Sequence, residues 1–358
     1  MQILFASATA RPSGQLVHIV RRGPFFLQLA AHHGTMSIFE APPFISAPSK
    51  YVSEYGSRRL AHQAASGELV RIRQGLYLTA EMWQAMRPWE KYRMQIQAVH
   101  ELAAGRPVFA RESAAQILGL PLASVPPRVQ TVVPPGQGGG RSRKTLQRIE
   151  AIAADPQPWE MFGLLVTPPV PTVRDLAVHL PLSGSLPAMD RLMSQRILPG
   201  SPCNVQLTFT EANVAAAIEL LPSASQQYRA LRVLELADGQ SGSTGESLSR
   251  AIMIENGFPA PVLQAEFRDS QGRIGFPDFD WEEFKTLGEF DGHEKYSAQK
   301  YLRGRTPAEV VISEKNRENR LRACGYNVVR WEWDDLKNPQ RLVNLLRSAG
   351  LPQQCGGR

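Results

Sequence analysis

Between residues 246 and 350 the apolar and polar positions switch repeatedly between helical and strand spacing. Glu246 to Asn256 reads as a helix, stopped by Gly257 and Pro259. Val262 to Arg268 and Arg273 to Trp281 read as strands around the turn Asp269-Ser-Gln-Gly272. A short polar link, Glu282 to Lys285, leads to a third strand, Thr286 to Asp291. Pro307 to Cys324 predicts a helix closed by Gly325, and Tyr326 to Trp333 a fourth strand. Asp334 then caps a last helix ending near Gly350. The predicted order is α-β-β-β-α-β-α.

The pattern upstream is different. Ser57 to Ser66 reads as a helix with Leu60, Ala61 and Ala64 on one face and Gly67 as its stop. Leu69-Val-Arg-Ile-Arg73 and Leu76-Tyr-Leu78 flank Gln74-Gly75 as a basic hairpin. Helix, glycine and basic hairpin make the skeleton of a winged helix-turn-helix, whose helix enters the major groove and whose wing follows phosphates. Its DNA-binding candidates are Arg58, Arg59, Arg71 and Arg73. Trp89 to Ala104 and Ser113 to Leu118 read as helices, Arg128 to Val133 and Gly163 to Thr167 as strands, and Thr172 begins another helix. Residues 183–198 and 209–237 also read as helices, the second starting near Thr210 or Glu211. Ala237 to Gly245 is a Gly/Ser-rich stretch and the strongest candidate boundary. Residues 1–50 look irregular, with Met36 as an alternative start. The expected segments are therefore an irregular arm (1–50), a winged helix (51–82), a mixed middle region (83–238) and a C-terminal domain (243–350).

Composition adds a partner class. The chain has 358 residues, 43% hydrophobic and 20% charged, with a formal charge of +7. Such a basic balance favours a polyanion, nucleic acid ahead of a membrane surface. Cys203, Cys324 and Cys355 are scattered without CxxC spacing, which argues against a disulfide framework or structural zinc and points to a reducing cytoplasm. No apolar run reaches the ~18 residues of a membrane span, and residues 1–20 lack the pattern of a signal peptide. The basic loop Gly136 to Lys144 lacks the spacing of a phosphate-binding P-loop.

The candidate chemistry lies in Phe276-Pro-Asp-Phe-Asp-Trp281 and Gly288-Glu-Phe-Asp-Gly-His-Glu-Lys295. Alternation lets Asp278 and Asp280 share a face of their strand, and Glu289 and Asp291 share a face of the next. Acidic groups on adjacent strands repel unless a cation or a proton neutralises them. Asp278, Glu289 and Asp291 are thus candidate ligands for Mg²⁺ or Mn²⁺, and exposed polar positions on a half-buried sheet are the competing reading. Glu246 either completes a capping box with Ser243 or points from the helix into the site. Lys295 could stabilise a phosphorane, His293 could carry a proton, and Arg317 or Arg320 could reach a phosphate. Glu314, Glu318 and Arg322 fit ion pairs along a wet helix face.

With these residues in view, 243–345 resembles the very-short-patch-repair-like endonucleases of the PD-(D/E)XK superfamily. The matching elements are Gly-Glu246-Ser, Pro-Asp278-Phe, Glu289-Phe-Asp291-Gly with Lys295, Arg317-Glu318, and Gly-Tyr-Asn-Val-Val-Arg330-Trp. Residues 53–79, extending to about 180, are similar to the N-terminal region of abortive-infection type IV (AbiEi-like) antitoxins. That likeness rests on Ser66-Gly-Glu-Leu-Val-Arg-Ile-Arg-Gln-Gly-Leu-Tyr77 and, more weakly, Thr172-Val-Arg-Asp175-Leu-Ala.

Together the resemblances imply an α/β (α+β overall) protein. It would join an N-terminal winged helix-turn-helix and a mixed middle region to a restriction-endonuclease-like α-β-β-β-α-β domain. They imply DNA as partner, Mg²⁺ or Mn²⁺ as cofactor, and a catalytic set of Glu246, Asp278, Glu289, Asp291 and Lys295. Asp291 stands where the superfamily usually has Lys, and Lys295 where close relatives carry His. The alternative is a non-catalytic regulator, the antitoxin of a toxin–antitoxin or phage-defence system with a cognate toxin as second partner. A pure protein–protein module is a third class.

Overall fold

The computed structural model describes residues 44–46, 54–136, 145–195, 209–292 and 306–354, and the chain divides into two compact units, 1–87 and 88–358. The architecture is mixed α and β, with helices and several sheets. Among the described residues no helix is long and apolar enough to cross a membrane.

In the first unit β1 (Ile45–Ser46) precedes α1 (Glu54–Ala65), the hairpin β2 (Leu69–Arg73) and β3 (Leu76–Thr79), and α2 (Ala80–Ala85). Gly75, at φ 84°, makes the hairpin turn in a conformation that favours glycine. The sheet order β1-β3-β2 puts β3 in the middle, with Leu76, Tyr77 and Leu78 buried. Arg58, Arg59 and Arg71 are exposed and Arg73 is half-buried. Ala61, expected on the packed face of α1, is exposed, whereas Leu60 and Ala64 are half-buried.

The second unit begins with α3 (Pro88–Glu101), β4 (Val108–Phe109), α4 (Arg111–Leu118), β5 (Val129–Val133), β6 (Leu146–Glu150), β7 (Trp159–Met161) and β8 (Leu164–Val166). These strands form one mixed sheet in the order β6-β5-β4-β8-β7. A buried polar relay ties α3 and α4 to it: the Tyr92 hydroxyl lies 2.7 Å from Ser113 Oγ, which accepts from Gln130 N (2.8 Å). The helices α5 (Pro169–His179), α6 (Leu182–Met193), α7 (Glu211–Glu219) and α8 (Ala224–Glu235) follow. The helix expected over 209–237 is two helices, because Pro222 disfavours helical backbone in the residue before it and Ser223 caps a new start.

Ala237 to Gly245 is not a free spacer. Asp238 N donates to the buried Asp190 carboxylate of α6 (2.8 Å), and Ser241 is buried. A Cβ at Gly239 would lie 2.7 Å from Met193 O, so the close approach of the two backbones requires glycine there. Arg250 on the next helix, α9 (Thr244–Glu255), donates to Asp190 Oδ2 (2.7 Å) and to Leu236 O (2.7 Å). A buried ion pair therefore spans the expected boundary.

Beyond α9 come β9 (Val262–Leu263), the hairpin β10 (Phe267–Asp269) and β11 (Gly272–Gly275), β12 (Phe279–Trp281), β13 (Thr286–Asp291), α10 (Pro307–Ala323), β14 (Asn327–Glu332), α11 (Trp333–Lys337) and α12 (Pro339–Ser348). The main sheet runs β14-β13-β12-β9, parallel between β13 and β14 and antiparallel elsewhere. One sheet face, with Phe279, Trp281, Phe290, Val329 and Trp331, shares a core with residues of α9 and α12. The other face, with Leu287 and Val328, packs Ile274 of β11 and Leu321 of α10.

Two expected strands are each broken in the middle. The first stops at Leu263 and resumes at Phe267; the second stops at Gly275 and resumes at Phe279. The breaks face one another, since Gln264, at φ 50°, donates its backbone N–H to Asp278 O (3.4 Å). The last helix is also two, divided before Pro339, and its cap is Glu332 with Asp335 rather than Asp334.

Candidate functional site

The two broken strands bring together residues that regular strands would keep apart. Glu246 lies in the first turn of α9, where Ser243 Oγ accepts from Glu246 N (3.2 Å). Half of the expected capping box is thus present. The Glu246 carboxylate instead accepts from Gly242 N (2.7 Å) and from Gln264 Nε2 (3.3 Å). A Cβ at Gly242 would sit 3.1 Å from both carboxylate oxygens, so the side chain is cradled against bare backbone.

Asp278 comes to the same amide from the other side. Its Oδ1 accepts from Gln264 Nε2 (3.2 Å). Past the Phe279–Gly288 pair, β12 no longer accompanies β13, and Asp278 Oδ2 accepts from Phe290 N (2.8 Å) in place of a strand carbonyl. Two carboxylates from different elements therefore meet on one side-chain amide. The seat of α9 is set at the same point: a Cβ at Gly245 would lie 2.0 Å from the Phe290 ring, so only glycine lets the helix lie against it.

Glu289 and Asp291 occupy the opposite face of β13 from Phe290, the face that packs α10. That face changes from apolar to charged within one pair of residues: Leu287 stands beside Val328, and Glu289 beside Arg330. Arg330 binds Glu289 (2.7 Å), Asp291 (3.0 Å), Glu314 (2.6 Å) and Glu318 (3.2 Å). Arg317 of α10 also pairs with Glu289. Burial pushes the Glu289 carboxyl up to about 7, against the pull of Arg317 and Arg330 and with help from Glu314 and Asp278. Burial also works to raise Glu314, but its hydrogen bond to Arg330 and the nearby Arg317 hold it below the usual carboxylate range.

Several expected placements change. Asp278 and Asp280 do not act as a pair: Asp280 stands opposite Leu287 on β12, buried, with Glu282 and Lys285 as its charged neighbours. Asp291 faces Arg330 rather than Glu246 and Asp278. Arg317 is turned inward to Glu289 and Glu314, and its buried Nη1 has no hydrogen-bond partner among the described residues. Arg320 is bidentate to Asp269 (2.7 and 2.6 Å) and locks the β10–β11 hairpin to α10. Glu318 pairs with Arg322 as expected (2.8 Å), but Glu314 and Glu318 also turn to Arg330 rather than only to a wet face. Lys295 and His293 lie outside the described residues.

Gln264 and the hub role of Arg330 escaped the sequence reading. The available signal for Gln264 was an amide interrupting the apolar run Val262-Leu-Gln-Ala265. For Arg330 it was a lone cation in a β-rich run, in register with Glu289.

The donors of this group are oxygens, the set that a hard divalent cation takes. Among the described residues, however, no three His, Cys, Asp or Glu side chains are gathered to hold an ion. Arg330 and Arg317 draw Glu289 and Asp291 away from that role. Glu246 and Asp278, with Gln264 between them, thus form one group, and Glu289 and Asp291 another that faces Arg330.

No model of a known protein family matches the chain. It is 27% identical over 186 residues to proteins of Mycobacterium tuberculosis described as uncharacterized, Rv2248 in strain H37Rv and MT2308 in strain CDC 1551. The match covers 51% of this chain and 60% of those proteins, so the chain spans under two thirds of their length. The crystal structure of the RV2827C protein from Mycobacterium tuberculosis aligns with 60% of this chain and 77% of its own, at 15% identity and a TM-score of 0.32.

Proposed function

We propose that the 88–358 unit carries a divalent-cation-dependent DNA endonuclease site of the PD-(D/E)XK type, and that the 1–87 unit binds DNA as a winged helix. One observation supports the nuclease reading above the rest: Glu246 from a helix and Asp278 from a broken strand converge on the Gln264 amide where β12 and β13 part. Glu246 and Asp278 would hold the cation, which when bound supplies Lewis-acid stabilisation of charge on a phosphodiester. Arg317 and Lys295 would offset charge on the phosphate under attack. Asp291 and Glu289 would act indirectly, by fixing Arg330 and Arg317.

The test is cleavage of supercoiled plasmid by the full chain with Mg²⁺ or Mn²⁺. Asp278→Ala and Glu246→Ala are each expected to reduce nicking by more than the ~10–100-fold typical of changes behind a metal's direct ligands. Absence of cleavage with both cations on several DNA substrates would overturn the catalytic reading.

A second reading has its own support. Arg330 and Arg317 neutralise Glu289 and Asp291 as a cation would, which suits a domain kept for its fold in a regulator or antitoxin. DNA binding is common to both readings. Arg59→Ala combined with Arg71→Ala is expected to weaken DNA affinity. If each arginine neutralises one phosphate, the slope of log K against log[salt] falls by about 1.8. Unchanged affinity and slope in a binding titration would remove the winged helix from both.

A further inference from the structure

Three helices of the second unit bring basic side chains together. Arg111 opens α4, His179 closes α5 and Arg229 is exposed on α8. Nη2 of Arg111 contacts His179 Nε2. A guanidinium carries donors only, so this ring nitrogen accepts and bears no proton. Burial, then Arg111 and Arg229, push the imidazole down to about 4, which keeps His179 neutral at ordinary pH. Among the described residues neither arginine has an ion pair. Arg229 Nε donates to Ser225 O (3.4 Å), and Arg111 Nε is buried without a hydrogen-bond partner among those residues. The acids that act on Arg111 are Asp175 and Glu112. Asp175 is taken up by Arg174, which donates to it (2.9 Å) and to both oxygens of Asp155 (2.6 and 2.9 Å). Burial raises Glu112 towards its neutral form. Arg111 also holds a left-handed backbone, at φ 49°, which strains a non-glycine residue. Strain of this kind gathers at functional sites.

We propose that Arg111, His179 and Arg229 form a phosphate-binding site. A phosphate oxygen takes Arg111 Nη2 from His179, Arg229 joins from α8, and His179 gains a proton from solvent and becomes a third donor. An arginine–imidazole contact is thereby exchanged for charge-assisted hydrogen bonds to an oxyanion, which are the stronger kind. Guanidinium groups match phosphate geometry, and donors from three separate helices suit a tetrahedral oxyanion rather than a planar carboxylate. The same chemistry serves a free phosphate and a phosphodiester of nucleic acid. The site uses none of Glu246, Asp278, Arg59 or Arg71 and depends on neither reading of function above.

The experiment is a pH titration of the His179 ring by nuclear magnetic resonance on the full chain, with inorganic phosphate and, separately, with a DNA oligonucleotide. Loss of the signal in His179→Gln assigns it. Bound phosphate is expected to raise the proton affinity of His179 by roughly 10-fold or more, the effect of an opposite charge within a few ångströms. Arg229→Gln changes an exposed position and is expected to weaken binding by roughly 10-fold. Arg111→Gln is expected to weaken it at least as much, with circular dichroism to check that it is folded. A response to inorganic phosphate alone assigns a free phosphate, a response to DNA alone assigns a backbone phosphate, and a response to both assigns the phosphate group itself. No response of His179 to either probe would overturn the site. So would a response undiminished in Arg229→Gln, whatever the fate of Arg111→Gln.

Discussion

Alanine in place of Asp190 is expected to lower the unfolding free energy by about 3–5 kcal/mol, the range for breaking a buried ion pair from one side. The Asp190 side chain is 1% exposed and that of Arg250 11%. Removing the carboxylate leaves the buried Arg250 guanidinium with its hydrogen bond to Leu236 O but no counter-charge at Asp190, and takes from Asp238 N the carboxylate it donates to. The pair holds α6 to α9, and α9 carries Glu246, so the loss reaches the candidate site as well as the core. Chemical denaturation of the full chain measures it. Replacing both partners, Asp190→Leu with Arg250→Met, is expected to cost less than the single change, because no buried charge is then orphaned. A single variant within about 0.5 kcal/mol of the unaltered protein, as for an ordinary surface position, would mean that the pair does not hold these helices together.

The second large effect is expected at Arg330. Arg330→Ala removes the shared partner of Glu289, Asp291, Glu314 and Glu318, and a loss of about 3–5 kcal/mol follows from the burial of Glu289 in particular. Glu289 titrates near 7 in the fold against an ordinary 4.5, so its charged form opposes folding, and stability attributable to it is greatest below 4.5 and declines as pH rises to about 7. Arg330 pulls that value down. Without it the Glu289 value rises further, and the decline continues above pH 7. The part of the gap between Arg330→Ala and the unaltered protein that Glu289 contributes should therefore be flat below about pH 7 and widen above it. Stability measured on both sides of that pH tests it, and a gap that does not widen above about pH 7 would show that Arg330 does not act through the Glu289 charge.

Element types were legible wherever a local signal decided them. Leu69–Arg73 and Leu76–Thr79 needed only alternation and a glycine turn. What the sequence hid was decided by tertiary contacts. Nothing local says that the run from Val262 to Arg268 must break at Gln264; the reason is the facing break at Asp278. The acidic residues of the candidate site were all named, but their grouping was not. Alternation put Asp278 with Asp280, whereas the parting of β12 from β13 frees Asp278 to reach Phe290 N. Glu289 and Asp291 do share a face as alternation requires, yet the cation waiting there is an arginine from β14, some 40 positions later. The Gly/Ser-rich stretch misled for a related reason: Gly239 serves close packing against Met193, which composition cannot distinguish from a flexible link.

Phe290 contributes nothing chemical, yet both carboxylates are gauged from it. Its ring is the surface on which Gly245, and so the next residue Glu246, comes to rest; its backbone N–H is the point to which Asp278 is tied. The span between the two acids is consequently keyed to one aromatic residue, and a change in ring size would alter it without touching an acid.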